Sequence, residues 1–418
     1  MKGLLRKNLG LTLLAASLSA PSRAAGPPQG TSLSVVHFKA PEFPSAELDF
    51  YRPGGPVVSP GTVGPEAGRA GGIGNPSPMP ETAIPSAPAV AWINSPPLTM
   101  TSLRGKVVLI DFWEYTCINC IRTFAQNKKW YERYRKYGFE IIGVHDPEFD
   151  IAYPGSNVQA AVKRFGLPYP VVVDSQFKIW NSYRNSTWPN RFVIDAKGFV
   201  RFNRPGEGAD SDFERAIQSL LVEAHSGLKF PETYTIPPEE DASAPNCGIP
   251  TPEMYVGDWY NRGVLANPES YHPGKTVQYK SAGEVKDGQL MLSGAWETDK
   301  NGMIYRGKPK RGQPGEDRLE MRYHARELYA VMNVSRGRPS KLFVLQDGKD
   351  LTPANKGVDV QFDRDGHSYI EVRAPRMYYL VQNTSFDQHQ VRLVPTSHGM
   401  TINSFTFGND CQTQFPHL

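Results

Sequence analysis

The sequence predicts two folded units in series, an α/β sandwich followed by an all-β sandwich. Three observations carry that prediction. Val107-Val108-Leu109-Ile110-Asp111-Phe112-Trp113 is an apolar run broken by a single acid, as a central strand covered on both faces would be. Between residues 107 and 224 such runs alternate with amphipathic helical segments, the pattern of strands cross-connected by helices. From Thr276 to Phe407 helical periodicity disappears, and short alternating runs recur between turns at Asp287-Gly288, Asp347-Gly348, Asp365-Gly366 and His398-Gly399.

Residues 1–24 have the make-up of a secretory leader. Lys2, Arg6 and Lys7 precede an apolar run from Leu9 to Ala20, too short to span a bilayer. Ser22-Arg23-Ala24 puts small residues where a signal peptidase reads, which predicts a mature start at Ala25. An uncleaved anchor is the alternative. No Cys lies near the cleavage site, and no later stretch approaches a membrane span, so the expectation is an exported, periplasmic protein. Lys and Arg number 46 against 42 Asp and Glu, and four of those cations sit in the leader. The remaining chain is charge-balanced, which removes the main support for a nucleic-acid partner or a polybasic membrane surface.

Residues 25–89 read as a linker, because Gly and Pro make up 17 of the 39 residues from 51 to 89 and leave no apolar periodicity. The patch from Val35 to Tyr51 is less extreme and could pack against a domain. Order is expected from residue 90 to 227. It comprises the strand at 107–113, a helix from Cys117 to about Lys136, a strand at Phe139–Val144 and a helix from Asn157 to Phe165. A short β-rich stretch at Tyr169–Val173 and a brief helix at Phe177–Tyr183 follow. Arg191–Ile194 and Phe199–Phe202 flank Asp195-Ala196-Lys197-Gly198 as a hairpin, and Asp210 to Ala224 closes the unit as an amphipathic helix. Residues 228–249 are a second linker, and 250–411 form the β domain. Its strands are expected at Gln289–Ser293, Leu319–Tyr323, Leu342–Leu345, Tyr369–Val372, Met377–Val381, Val391–Val394 and Ile402–Phe407.

Cys117-Ile118-Asn119-Cys120 is the motif that carries chemistry, and its context makes it specific: a buried-type strand ends just before it and a helix opens on it. A Cys in the first helical turn faces unpaired backbone N–H groups and the positive end of the helix dipole, both of which stabilise a thiolate. Three residues on, Cys120 shares the helical face within disulfide reach. Cys117 would attack a substrate disulfide and Cys120 would resolve the mixed disulfide, the two forming a redox-active disulfide. An inert staple is the bland reading, although so short a loop closes little chain entropy. Zinc is disfavoured, because Cys247 and Cys411 lie 127 and 291 residues beyond Cys120, unlike the close pairs of zinc ribbons. No metal and no cofactor is expected. A thiol peroxidase needs Thr three residues before its reactive Cys, and that position is Glu114.

Leu103-Arg104-Gly105-Lys106-Val107-Val108, Asp111-Phe112-Trp113 and Cys117 to Cys120 resemble the TlpA/ResA-like exported branch of the thioredoxin fold. Tyr115-Thr116-Cys117-Ile118-Asn119-Cys120, Gly143-Val144-His145 with Pro147-Glu148-Phe149, and Trp188-Pro189 are similar to the soluble C-terminal region of DipZ-type proteins. That likeness continues through Ala295-Trp296-Glu297 and Phe405-Thr406-Phe407-Gly408. It implies a thioredoxin-like domain followed by a jelly roll resembling carbohydrate-binding modules. It also implies that Cys117 is the nucleophile and Cys120 the resolving thiol. Asp111 becomes the buried acid that takes the second thiol's proton, a strand acid capped by its neighbours being the alternative. Pro189 becomes the cis-proline beside the cysteines, a trans turn proline being the alternative. Trp188 would line the same groove or belong to the core.

Two departures matter. DipZ-type sequences carry Pro within the active-site helix, where this chain has Phe124-Ala125-Gln126. The polytopic membrane domain that feeds them electrons has no counterpart, so a CcdA/DsbD-like membrane protein is the implied electron donor. Ile118 and Asn119 do not fix the redox poise. For His145 and Glu148 a role in the site stands against that of a satisfied loop polar, and Arg122 reads as solvated. Trp259, Tyr260, Tyr271, Trp296 and Tyr305 could stack on a glycan, or could be core.

The sequence therefore points to an exported protein-disulfide oxidoreductase that reduces disulfides of envelope proteins. The rivals are a glycan- or partner-binding envelope protein with an ancillary redox domain, and a disulfide oxidase or isomerase. Cys247 and Cys411 bracket the β domain, and in a jelly roll the first and last strands often lie together. A disulfide between them would tie the two ends, two free thiols being the alternative. Mass mapping of a non-reduced digest is expected to find the Cys247–Cys411 pair, and two free thiols there would remove it.

Overall fold

The computed structural model describes residues 38–40, 92–234, 248–257, 264–309, 315–334 and 338–409. The leader, most of the first linker, Cys247, Cys411, Trp259 and Tyr260 lie outside the described residues.

The α/β domain is built on β3 (Val107–Trp113), every residue of which is buried. It lies parallel to β4 (Phe139–His145) and antiparallel to β6 (Asn190–Ile194). The sheet continues through β7 (Phe199–Pro205) on one side and β5 (Val171–Val173) on the other. Two-residue strands complete it. β1 (Phe38–Lys39) pairs with β7, and β2 (Trp92–Ile93) pairs with β5. Residues 38–39 lie in the patch of the linker that could pack against a domain; in the structure they form one edge strand of the sheet, since their extended backbone satisfies the open edge of β7.

Strand alternation sorts β3 between two apolar cores. Val108, Ile110 and Phe112 face a cluster with Ile142, Trp180, Phe192 and Val200. Val107, Leu109 and Trp113 face the other cluster, which holds α1 (Ile118–Tyr134), α2 (Gly155–Phe165) and α4 (Asp210–Ala224). α3 (Lys178–Ser182) supplies Ile179 and Trp180 to the first. Gly143 has a packing reason: a Cβ there would meet Trp113 Nε1 at 2.9 Å and Val171 Cγ2 at 3.2 Å. The buried Glu214 of α4 ties the layers together by accepting from Arg133 Nη1 at 2.8 Å, Tyr134 Oη at 2.5 Å and the Tyr234 amide at 2.7 Å. Leu228 and Phe230 pack on the same core, so the start of the expected second linker is part of the domain.

The C-terminal domain is all-β. Its strands are β8 (Met254–Tyr255), β9 (Thr276–Tyr279), β10 (Gln289–Thr298), β11 (Met303–Tyr305), β12 (Arg318–Val334), β13 (Ser340–Gln346), β14 (Lys349–Asp350), β15 (Val360–Phe362), β16 (Ser368–Val372), β17 (Arg376–Pro395) and β18 (Met400–Gly408). β12 is the spine. It pairs with β17 along nearly its whole length, while its other edge passes from β10 to β18. The runs 377–381 and 391–394 are one strand, not two. The polar stretch between them crosses a register shift on β12, where Ala325 pairs with Asp387 and Glu327 with Gln382, leaving 383–386 looped out of the ladder. Trp296 and Tyr305 are core, with rings 5.1 Å apart and both polar tips bonded, to Ser293 O at 2.9 Å and Asp317 Oδ2 at 2.9 Å. They present no stacking face.

The two domains share a core. Tyr255, Tyr329, Val331, Met377 and Tyr379 join the cluster that contains Ile118, Ile121 and Phe124 of α1. Within the α/β domain, Phe213 packs at 4.8 Å on Phe202 and lies 4.2 Å beneath the Arg191 guanidinium. Phe213→Ala is expected to cost about 3–5 kcal/mol in a denaturant titration, through lost transfer energy and a cavity.

Candidate functional site

The site lies at the carboxyl end of β3, where the chain leaves the sheet and enters α1. Cys117 is the residue that caps α1, and its Sγ accepts from the Cys120 amide at 3.3 Å. Both cysteines are free thiols, Cys120 fully buried and Cys117 half-buried. The helix terminus is expected to favour a thiolate here, yet the surroundings oppose one. Burial, then the carboxylates of Glu148 and Glu253, push the Cys117 thiol up, against the lowering contacts from Cys120. Burial above all pushes Cys120 well above its ordinary value, and the charges of Cys117 and Asp111 add to this.

Asp111 occupies the odd-numbered face of β3, between Leu109 and Trp113, so alternation places its carboxyl under α1. Its Oδ2 accepts from Asn127 Nδ2 at 2.8 Å, one face of the helix below Cys120. Oδ1 is buried with no hydrogen-bond partner among the described residues. Burial raises the acid to about 7 in spite of Arg191, the cross-strand neighbour of Asp111, and of Asn127. Arg191 is itself fully buried, with Nη1 on Asp210 Oδ1 at 2.8 Å and Nη2 on Gly208 O at 2.7 Å. An acid poised near neutrality beside a thiol can exchange a proton with it.

The Trp188–Pro189 peptide is cis. Asn190 pairs across from Phe112, so Pro189 sits level with Trp113, at the same end of the sheet as the cysteines. Trp188 is half-buried against Trp180, with ring centroids 4.4 Å apart, and packs on both cores.

His145 ends β4 beside Trp113 and is fully buried rather than a loop residue. It stacks on Tyr115 at 5.6 Å and lies 3.8 Å from Glu114 Oε1, while neither ring nitrogen has a hydrogen-bond partner among the described residues. Glu114 is buried too and accepts from the Thr116 amide at 2.6 Å and from the Thr116 hydroxyl. Glu148 accepts from Tyr255 Oη at 2.6 Å, across the domain contact. Arg122 is not solvated. Its guanidinium is enclosed by Asn119 Oδ1 at 3.2 Å, Glu207 Oε1 at 3.3 Å and Glu327 Oε2 of β12 at 3.7 Å, because the β domain covers that face of α1.

The structure thus gathers Cys117, Cys120, Asp111 and Pro189 at one sheet end. Asn127, Arg191, Glu207 and the β-domain residues Glu253, Tyr255 and Glu327 escaped the sequence reading. Asn127 had a usable signal, seven residues after Cys120 on the same helical face. The others reach the site only through tertiary contacts. No cluster of His, Cys, Asp and Glu among the described residues could hold a metal ion.

Residues 86–203 match the AhpC/TSA family model, and residues 251–408 match the model described as the thioredoxin-like C-terminal domain. The thiol-disulfide oxidoreductase ResA of Geobacillus kaustophilus is 32% identical over 121 residues, 29% of this chain and 67% of that protein. The chain belongs to the thioredoxin-like thiol–disulfide oxidoreductases. Protein DipZ of Mycobacterium tuberculosis is 31% identical over 334 residues, covering 76% of this chain; the chain spans 41% of that relative's length. SUPPRESSOR OF QUENCHING 1 of Arabidopsis thaliana matches 143 residues at 32% identity, 34% of this chain and 14% of that protein.

The Asp111 carboxyl titrates at about 7 when folded and near 3.8 otherwise, so the folded state holds its proton more tightly. Its contribution to stability is then full below about pH 4 and is lost as pH rises toward 7. Asp111→Asn is expected to leave stability near pH 4 unchanged and to raise it by roughly 3–4 kcal/mol at pH 8. Denaturant titrations at the two pH values measure the difference.

Proposed function

We propose that this chain is an exported protein-disulfide reductase. The observation that carries the reading is the pairing of an unstabilised nucleophile with a near-neutral buried acid. Cys117 caps a helix yet has its thiol pushed up, and Asp111 beneath the helix titrates at about 7. A strong disulfide donor draws its oxidising power from a stabilised thiolate in its reduced form. The charges around Cys117 work the other way, toward a pair that gives electrons.

The reaction divides between the two thiols. The Cys117 thiolate attacks one sulfur of a substrate disulfide, the S–S bond breaks, and one substrate thiolate leaves. Cys120 then passes its proton to the Asp111 carboxylate and attacks Cys117 Sγ. The second substrate thiolate departs, leaving a Cys117–Cys120 disulfide and a substrate reduced by two electrons. Pro189 and Trp188 offer an edge for an extended substrate segment. Regeneration takes two electrons from a membrane thiol donor of the CcdA/DsbD type. Among the described residues no helix is long and apolar enough to cross a membrane. The leader at residues 1–24 supports export and action on envelope proteins.

A glutathione or dithiothreitol redox titration is expected to place the pair at or below about −250 mV, and a value near −120 mV would make the protein a disulfide donor. Cys117→Ser is expected to abolish insulin reduction, and Cys120→Ser to accumulate the mixed disulfide.

A further inference from the structure

Asn119 stands between the two cysteines in the first turn of α1 and, like Cys117, is half-buried. Its Oδ1 accepts from Arg122 Nη1 at 3.2 Å, across one helical turn. An arginine side chain has only donors, so the atom that meets it must be the amide oxygen. Asn119 Nδ2 is thereby directed away from Arg122, and it makes no hydrogen bond among the described residues. Two N–H donors are left at the mouth of the redox motif without a protein acceptor.

The same arginine ties Asn119 to the cis-proline edge. Arg122 Nη1 also donates to Glu207 Oε1 at 3.3 Å, and the residue before Glu207, Gly206, donates its amide to Pro189 O at 2.8 Å. On its other side, Arg122 Nη2 lies 3.7 Å from Glu327 Oε2 of β12, which accepts from Tyr329 Oη at 2.8 Å. Gly408 of β18 pairs opposite Glu327, and a Cβ there would overlap the Glu327 carboxylate, so the β domain keeps room for this acid. Both protons of Nη1 are engaged and Nη2 is held by a buried carboxylate. A planar guanidinium fixed at both nitrogens cannot turn, and the amide it orients is fixed with it.

We propose that Asn119 contacts the substrate and that Arg122 is its positioning residue: Asn119 Nδ2 donates a hydrogen bond to a peptide carbonyl of the segment that carries the disulfide. A sulfur bonded to Cys117 brings the peptide groups of its own residue to this end of α1, where the amide waits in one orientation. A neutral amide donor reads a carbonyl whatever the neighbouring side chains are, so the contact selects disulfides borne on a polypeptide over small disulfides without one. The β domain takes part in this selection by holding Arg122 through Glu327. The inference rests on the reductase reading above and adds the feature of the substrate that is recognised.

The test mixes the reduced full-length protein with insulin or with dimethyl disulfide, which has no carbonyl, and times formation of the Cys117–Cys120 disulfide by acid quench and mass spectrometry. The quantity read is the ratio of the two second-order rate constants, in which a change in the thiol itself cancels. Asn119→Ala is expected to lower the insulin-to-dimethyl-disulfide ratio roughly tenfold, the worth of one hydrogen bond between neutral groups. Asn119→Asp keeps an oxygen for Arg122 but has no N–H, and is expected to lower the ratio as much. Arg122→Lys keeps a cation between Glu207 and Glu327 without the fork, and is expected to lower it by about threefold. A wild-type ratio in both Asn119 variants overturns the proposal, as does an equal fall in both rates. A wild-type ratio in Arg122→Lys alone overturns the role given to Arg122. If the unaltered protein reacts with neither disulfide, the reductase reading fails and this inference with it; if it reacts with both and the Asn119 variants keep its ratio, this inference alone fails.

Discussion

The burial of β3 on both faces is the constraint from which the site follows. A strand covered on both sides must send alternate side chains into two separate cores, and Asp111 falls on the side that α1 covers. Water cannot reach it there, so its carboxyl holds a proton into the neutral range. The same strand delivers the chain to Cys117 at the helix cap, and its neighbours β4 and β6 bring Glu148 and Pro189 to the same end. Asp111, Cys117 and the cis-proline Pro189 are placed by one strand and its two partners, and each would move if the register slipped.

The β domain is continuous with this arrangement. Aromatic residues of β8, β12 and β17 complete the apolar cluster under α1. Arg122 is a buried cation two residues past Cys120, and it is matched by one acid from each domain. Removing either acid would leave that cation under-compensated in a dry environment, which is more costly than losing a surface pair. The active-site helix is thus clamped from outside its own fold.

Much of this was legible in the sequence, and for identifiable reasons. The β3 run, the α4 periodicity and the Cys117–Cys120 spacing are local patterns, and locally specified elements keep their bounds when they fold. Phe38–Lys39 and the polar middle of β17 carried no such pattern, because their strand character comes from the edge they pair with. Arg122 read as solvated because its helix alone offers nothing to bury it; the acids that do so lie at residues 207 and 327. Arg191 had the same handicap, being a charged residue whose place in the core depends on Asp210, Gly208 and the Phe213 ring. The helix cap at Cys117 was visible, whereas the burial that pushes its thiol up comes from tertiary packing that no local pattern records.

Both outer edges of the seven-stranded sheet are closed by two-residue strands, Phe38–Lys39 on β7 and Trp92–Ile93 on β5. An uncovered strand edge is a template for another chain, and strands this short offer almost none. The segment that reads as dispensable spacer therefore shields the sheet against self-association. A fragment trimmed to begin at residue 90 would keep every redox residue while baring the edge of β7, where Phe199 is already 40% exposed. Its solubility and its chemistry would part company, for a reason that lies more than 70 residues upstream of Cys117.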